Sequence, residues 1–195
     1  MITVIEIGCA NTASVLWALE RAGAQVRLSS DAVEIATAEK VVLPGVGAAG
    51  FAMSRIRELG LFDTIRNIKV PLLGVCLGQQ LLFESSTEGD VACLGLIPGQ
   101  VTKMEVSGDL VVPHMGWNQL EVTRDDPLTA GVKNGDFAYF VHSFVCPVND
   151  HTLATSTYGQ PFAAMVRKDN VWGCQFHPER SSAAGAVILK NFLSL

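Results

Sequence analysis

Two hydrophobic periods alternate along the first half of the chain. Residues 2–7 form an apolar, β-rich run that ends at Gly8, and in residues 12–21 Val15, Leu16 and Leu19 recur at helical spacing before Gly23. Residues 25–28 and 40–43 read as short strands, the second stopped by Pro44-Gly45. Residues 48–59 and 61–68 read as helices parted by Gly60, residues 70–75 as an apolar strand, and residues 77–84 as the helix after it. Strands that alternate with helices predict an α/β fold, an open and mostly parallel sheet with helices on both faces. From about Gly99 the texture changes. Residues 101–106, 118–122, 138–141, 152–157, 162–166 and 171–176 are short strand-like runs separated by turn residues. They predict an antiparallel extension of the same sheet, closed by a helix over residues 183–193. No repeat, low-complexity tract or linker interrupts the pattern, so the 195 residues are expected to form one domain.

Composition narrows the function classes. Hydrophobic residues make up 49% and charged residues 17%, which is enough apolar material for a substantial core. The net charge is −5 and no run of Lys or Arg occurs, which excludes nucleic acid and anionic membranes as expected partners. The first ten residues lack a basic lead and contain Glu6, so they read as a first strand and not as a signal peptide. No apolar stretch approaches the roughly 20 residues needed to span a bilayer. Five cysteines stand at positions 9, 76, 93, 146 and 174, an odd number without a close pair. Reduced thiols in a cytoplasmic protein are the simplest expectation, and no Cys/His set has the spacing of a metal site. No metal or other cofactor is expected.

The chemistry concentrates in Gly74-Val75-Cys76-Leu77-Gly78, at the junction of a predicted strand and helix. This is the spacing of a G-x-S-x-G nucleophile elbow with cysteine in the serine position. A side chain at such a tight bend is lifted clear of the sheet, and glycines two before and two after remove groups that would collide. The Leu77 N–H and the start of the helix would lie beside the sulfur, where they favour thiolate and a developing oxyanion. Taken alone, the cysteine could equally be a small buried hydrophobe. A base is offered by His177-Pro178-Glu179, directly after an apolar strand. In open α/β sheets, ligands collect at the carboxyl ends of strands, where both Cys76 and His177 fall. Glu179 follows His177 by two, a spacing that places both side chains on one side of extended backbone, and Pro178 favours that backbone. A carboxylate there can hold one ring nitrogen while the other faces the sulfur. The glycine-rich turn Leu43-Pro44-Gly45-Val46-Gly47 ends another strand, and its amides could approach a substrate or simply make a turn.

Together these segments resemble the class I, triad-type glutamine amidotransferases, over essentially the whole chain and in the same order. The resemblance narrows to the glutaminase subunits of imidazole glycerol phosphate synthase on three features: Pro113-His114-Met115-Gly116-Trp117-Asn118, the most specific, Tyr139-Phe140-Val141-His142-Ser143-Phe144, and Gly8-Cys9-Ala10-Asn11. It implies a flavodoxin-like sheet and hydrolysis of glutamine by Cys76 as nucleophile, His177 as base and Glu179 as its orienting group. It implies an oxyanion hole made by Leu77 with Val46 and Gly47. It implies substrate contacts from Gly45, Gln80, Glu88, His142, Ser143 and Phe144, those around Ser143 through backbone groups. It implies a heterodimer partner, a (β/α)₈-barrel synthase subunit that receives the ammonia, with Pro113, His114, Met115, Gly116, Trp117 and Asn118 at the interface. Met115 and Trp117 fit an interaction patch on a Gly/Pro-rich loop, or core residues beneath one. Gln79 stands where such subunits often carry Met. The alternatives are a glutaminase serving another synthase and a catalytically idle scaffold of the same fold. The first is separated by the 113–118 string, and the second by the presence of all three triad residues.

Overall fold

The computed structural model describes residues 1–8 and 12–195. Of the feature Gly8-Cys9-Ala10-Asn11, residues 9–11 lie outside the described residues. The main sheet has eight strands in the spatial order Val26–Ser29, Ile2–Ile5, Lys40–Gly45, Leu72–Cys76, Val171–Cys174, Gln160–Lys168, Thr152–Tyr158 and Glu121–Val122. The first five run parallel and the remaining three continue antiparallel. The parallel strands are buried almost throughout, as strands covered on both faces must be. On one face Leu43, Met53, Ile56 and Phe83 pack together; on the other, Leu19, Phe140, Phe176 and Phe192. Among the described residues no helix is long and apolar enough to cross a membrane.

The expected helix over 12–21 is observed as Thr12–Arg21, and the closing helix as Ser182–Ser194. The pair expected over 48–59 and 61–68 is shorter, Ala49–Glu58 and Phe62–Arg66. The segment expected to be helical to residue 84 stops at Leu81. The carbonyls of Leu81, Leu82 and Phe83 accept instead from Leu94, Leu96, Ile97 and Gly95 N–H groups, so the ladder is taken over by a distant loop. A short helix, Ala32–Ala36, was not expected; it is capped by the Asp31 carboxylate, which accepts from Val33 and Glu34 N–H at 2.9 Å.

The expected antiparallel extension of the main sheet is observed in three strands. Only part of the second half joins that sheet. His114–Gln119 and Phe137–His142 form a separate antiparallel ribbon, and Phe144–Val145, Gln100–Lys103, Ser85–Ser86 and Val91–Ala92 form a four-stranded sheet. The single strand expected over 118–122 is broken at Leu120, which is fully buried and exchanges backbone hydrogen bonds with Gly135 and Asp136. The chain thus leaves the ribbon and enters the main sheet at that residue. The 113–118 segment is strand and not loop, which fixes alternate side chains on opposite faces.

Candidate active site

Three neighbouring parallel strands deliver the site. Gly45 lies in register with Cys76, and Cys174 with Val75, so the turn at 45–48, the elbow and the segment leading to His177 leave the sheet at one edge. Cys76 has φ 55 and ψ −111, a strained conformation for a residue with a Cβ. The flanking glycines make this bend possible by close approach. A Cβ on Gly78 would overlap the Leu43 carbonyl oxygen outright, and one on Gly74 would come within 2.7 Å of the Gly78 carbonyl. Gln79, behind the elbow, donates to the Ala163 carbonyl at 3.0 Å and packs where a Cβ on Gly173 would stand.

The Cys76 side chain is 6% exposed, yet it opens onto a cavity of about 220 Å³. That cavity is also lined by Val46, Gly47, Leu77, Gln80, Glu88, Pro113, Val141, His142, Ser143, Phe144 and His177. The thiol lies 3.7 Å from the Val141 carbonyl and 3.9 Å from the Gln175 amide nitrogen. The other described cysteines are of a different kind. Burial pushes Cys93 up to about 11, Cys146 up to about 12 and Cys174 well above the ordinary thiol value, which holds all three as thiols.

His177 Nδ1 is 2.9 Å from Glu179 Oε1. The backbone at His177 is extended, with φ −95 and ψ 98, but Pro178–Arg180 is a 3₁₀ turn. The two side chains therefore meet across a turn and not along a strand. Burial on its own would lower the His177 pKa. The neighbouring Cys76 and Glu179, with the negative charge each can carry, outweigh it and raise the pKa to about 10. The ring is thereby poised to hold a proton between sulfur and carboxylate. The buried Ser181 hydroxyl fixes the segment, donating to the His177 carbonyl at 2.7 Å and accepting from Tyr139 N–H at 2.9 Å. The His177 N–H donates to the Tyr139 carbonyl, so the ribbon and the histidine turn are one unit.

Gln80 commits its amide nitrogen, donating to the Phe144 carbonyl at 3.1 Å and to Gln175 Oε1 at 3.0 Å. Its own oxygen is the group left to meet a ligand. Gln175 and Ser181 were missed by sequence reading; their only signal was proximity to His177. His114 is a correction to the expected interface: its ring is turned inward and buried, stacked on Tyr158 with centroids 4.1 Å apart. Of the expected interface residues Met115 and Trp117 face outward, 63% and 51% exposed, while Gly116 and Asn118 are half-buried and Pro113 lines the cavity. The open question of patch against core is thereby resolved in favour of a surface patch.

His114 and His142 form a buried pair with assignable protons. His142 Nδ1 donates to the Phe144 carbonyl at 2.8 Å, so its Nε2 accepts from His114 Nδ1 at 3.0 Å. Burial lowers both pKa values to about 4. A depressed histidine contributes stability that is fully present above its unfolded value of about 6.5 and is lost as pH falls through the folded value. The expected result is an unfolding free energy, measured by urea titration, that declines between pH 6.5 and 4, by up to about 3 kcal/mol per ring. His177, raised to about 10, acts with the opposite sign: its contribution is complete below 6.5 and is lost as pH rises through 10. A stability profile flat over the acid interval would show that the pair is not held neutral.

A family model for glutamine amidotransferase class-I matches residues 3–195. The chain belongs to that family. It is 50% identical over 194 residues to the imidazole glycerol phosphate synthase subunit HisH of Xanthomonas axonopodis pv. citri (strain 306), which covers 100% of this chain and 97% of that relative. It is 46% identical over 200 residues to the subunit of the same name from Vibrio cholerae serotype O1, covering 100% and 98%. Within the class, it is a member of the HisH family. A solved glutamine amidotransferase superposes with a TM-score of 0.76 at 19% identity, covering 100% of this chain and 98% of that one. PurLQS from Thermotoga maritima gives 0.72 at 20%, covering 99% and 97%. At such identity these two speak for the fold alone.

Proposed function

We infer that the chain hydrolyses glutamine to glutamate and ammonia with Cys76, His177 and Glu179, and hands the ammonia to the barrel synthase subunit of imidazole glycerol phosphate synthase, in histidine biosynthesis. The observation that carries this reading is the strained cysteine opening onto the same cavity as a histidine held at 2.9 Å by a buried carboxylate. Cys76 Sγ attacks the side-chain carboxamide carbon, and His177 holds the thiol proton and delivers it to the leaving nitrogen. Glu179 fixes the ring and stabilises its charged form. The oxyanion is held by the Leu77 N–H and by an amide of Val46 or Gly47. Water, deprotonated by His177, then cleaves the thioester. Gly45, Gln80, Glu88 and the 142–144 backbone orient glutamine.

A second cavity, of about 190 Å³, shares His177, Val46 and Val141 with the first and is lined by Val15, Val75, Tyr139 and Glu179. It begins on the far side of the triad and reaches the ribbon strand that carries Tyr139. This is the exit we assign to ammonia, opening beside the exposed Met115 and Trp117. In the loop after Gly45, Val46 is 40% exposed, open to a docking partner, and Gly47 has φ +93. A partner that covers the ribbon can therefore complete the oxyanion hole. The test is glutamate release by this chain, alone and mixed with the barrel subunit. Slow turnover alone and a rise of at least tenfold on mixing is the expected result, a size matching one well-placed oxyanion donor. Absence of turnover in the mixture overturns the reading.

A further inference from the structure

We propose that Glu88 is a positioning residue that ties the substrate's ammonium group to the oxyanion loop; the inference rests on the glutaminase reading above. Glu88 is half-buried on the hairpin between the strands Ser85–Ser86 and Val91–Ala92, and it lines the Cys76 cavity. Its Oε2 accepts from the Ala49 N–H at 2.8 Å. Ala49 begins the helix Ala49–Glu58, whose N-cap residue, Ala48, has no side chain able to cap it. The missing cap thus comes from 39 residues away in sequence.

Only Val46, Gly47 and Ala48 separate this helix from Gly45, which is fixed in the sheet opposite Cys76. The oxyanion loop is accordingly held at two points, the sheet at one end and the Glu88 carboxylate at the other. A second tether couples the same two pieces: Arg57, near the helix C-terminus, donates to the Ala92 carbonyl at 2.9 Å. The helix and the Glu88 hairpin therefore move together. Among the described residues none donates to Glu88 Oε1. A carboxylate with one oxygen committed and the other free is suited to hold the α-ammonium of glutamine while it holds the loop. Substrate engagement at Oε1 then orders the carboxylate, and through Oε2 the start of the helix and the amides just before it. Glu88 would thus serve the chemical step as well as binding.

The two roles separate by substitution, measured as steady-state glutamine hydrolysis in the complex with the barrel subunit. Glu88→Gln keeps an oxygen for Ala49 N–H but loses the charge that engages the ammonium, so KM is expected to rise about tenfold or more and kcat to fall by up to about threefold, the ordering lost when that position has no partner. Glu88→Ala loses both, so kcat at saturating glutamine is expected to fall by about tenfold beyond the Gln variant. Equal kcat values for the two variants, each with an unchanged urea midpoint, would reduce Glu88 to a simple ligand and overturn the coupling. Unchanged KM in both would overturn the ammonium contact. If the Ala variant unfolds, the isosteric Gln variant still decides the ammonium contact. The coupling is then read from the Gln variant with 4-carbamoylbutanoate, which lacks the amino group. Wild type is expected to turn over this analogue with a lowered kcat, because Oε1 stays empty, and the Gln variant to match it. A wild-type kcat on the analogue equal to that on glutamine would overturn the proposal. Inactive wild-type complex would instead be a failure of the glutaminase reading itself.

Discussion

Cys76→Ala is expected to cut glutamine hydrolysis in the complex by on the order of 10⁴-fold or more, because removing the proposed nucleophile removes the covalent route and leaves only binding and oxyanion interactions. The fold should survive. Alanine keeps the Cβ, so the strain at φ 55 is unchanged, and the sulfur it removes makes only two long polar approaches, of 3.7 and 3.9 Å. No other described thiol can substitute: Cys146 and Cys174 are fully buried and, with Cys93, pushed up by burial. Glutamate release reports the loss, and an unfolding free energy from urea titration within about 0.5 kcal/mol of wild type reports the fold. Synthesis driven by added ammonium salts should continue, because on the proposed reading this chain supplies its partner only with ammonia. A variant retaining more than a few per cent of its glutaminase rate would show that another group attacks glutamine.

The elbow was legible because its constraint is local. Two glycines at fixed offsets from one cysteine are demanded by backbone collisions within a few residues, so Gly74 and Gly78 carry the geometry in the sequence itself. The His177–Glu179 pair was legible for a weaker reason. The spacing was right, but the side chains meet across a 3₁₀ turn, which an argument from extended backbone does not anticipate. Gln175 and Ser181 were not legible, because their partners are Gln80 on one side and Tyr139 on the other, dozens of residues away. The helix Ala32–Ala36 is too short to show a period. The ribbon was missed for a topological reason. Strand-like runs do not reveal which sheet they join, and the buried Leu120 that diverts the chain looks like any other strand residue.

The ribbon also gives the second large prediction. Strand alternation sends His114, Phe140 and His142 inward and leaves Met115, Trp117, Phe137 and Tyr139 on the outer face, with Met115, Trp117 and Phe137 more than half exposed. The Trp117 and Tyr139 rings meet edge-on at 5.9 Å, so the patch is preorganised and little side-chain freedom is lost when it is covered. Tyr139 lines the cavity behind the triad, and its backbone holds His177 and Ser181. A partner seated on this face would therefore press on the strand that positions His177. Trp117→Asp is expected to weaken binding of the barrel subunit by about 30-fold or more, the loss of a central aromatic anchor worth about 2 kcal/mol and its replacement by a charge to be desolvated. Glutamine-driven synthesis at limiting subunit concentration should fall in proportion, and ammonium-driven synthesis should not. Val33→Asp, at a still more exposed apolar position on the helix Ala32–Ala36, is the control and should leave affinity within about twofold, as surface substitutions away from an interface do. If Trp117→Asp and that control bind the barrel subunit equally tightly, the ribbon face is not the interface. The route for ammonia beside it must then be drawn elsewhere.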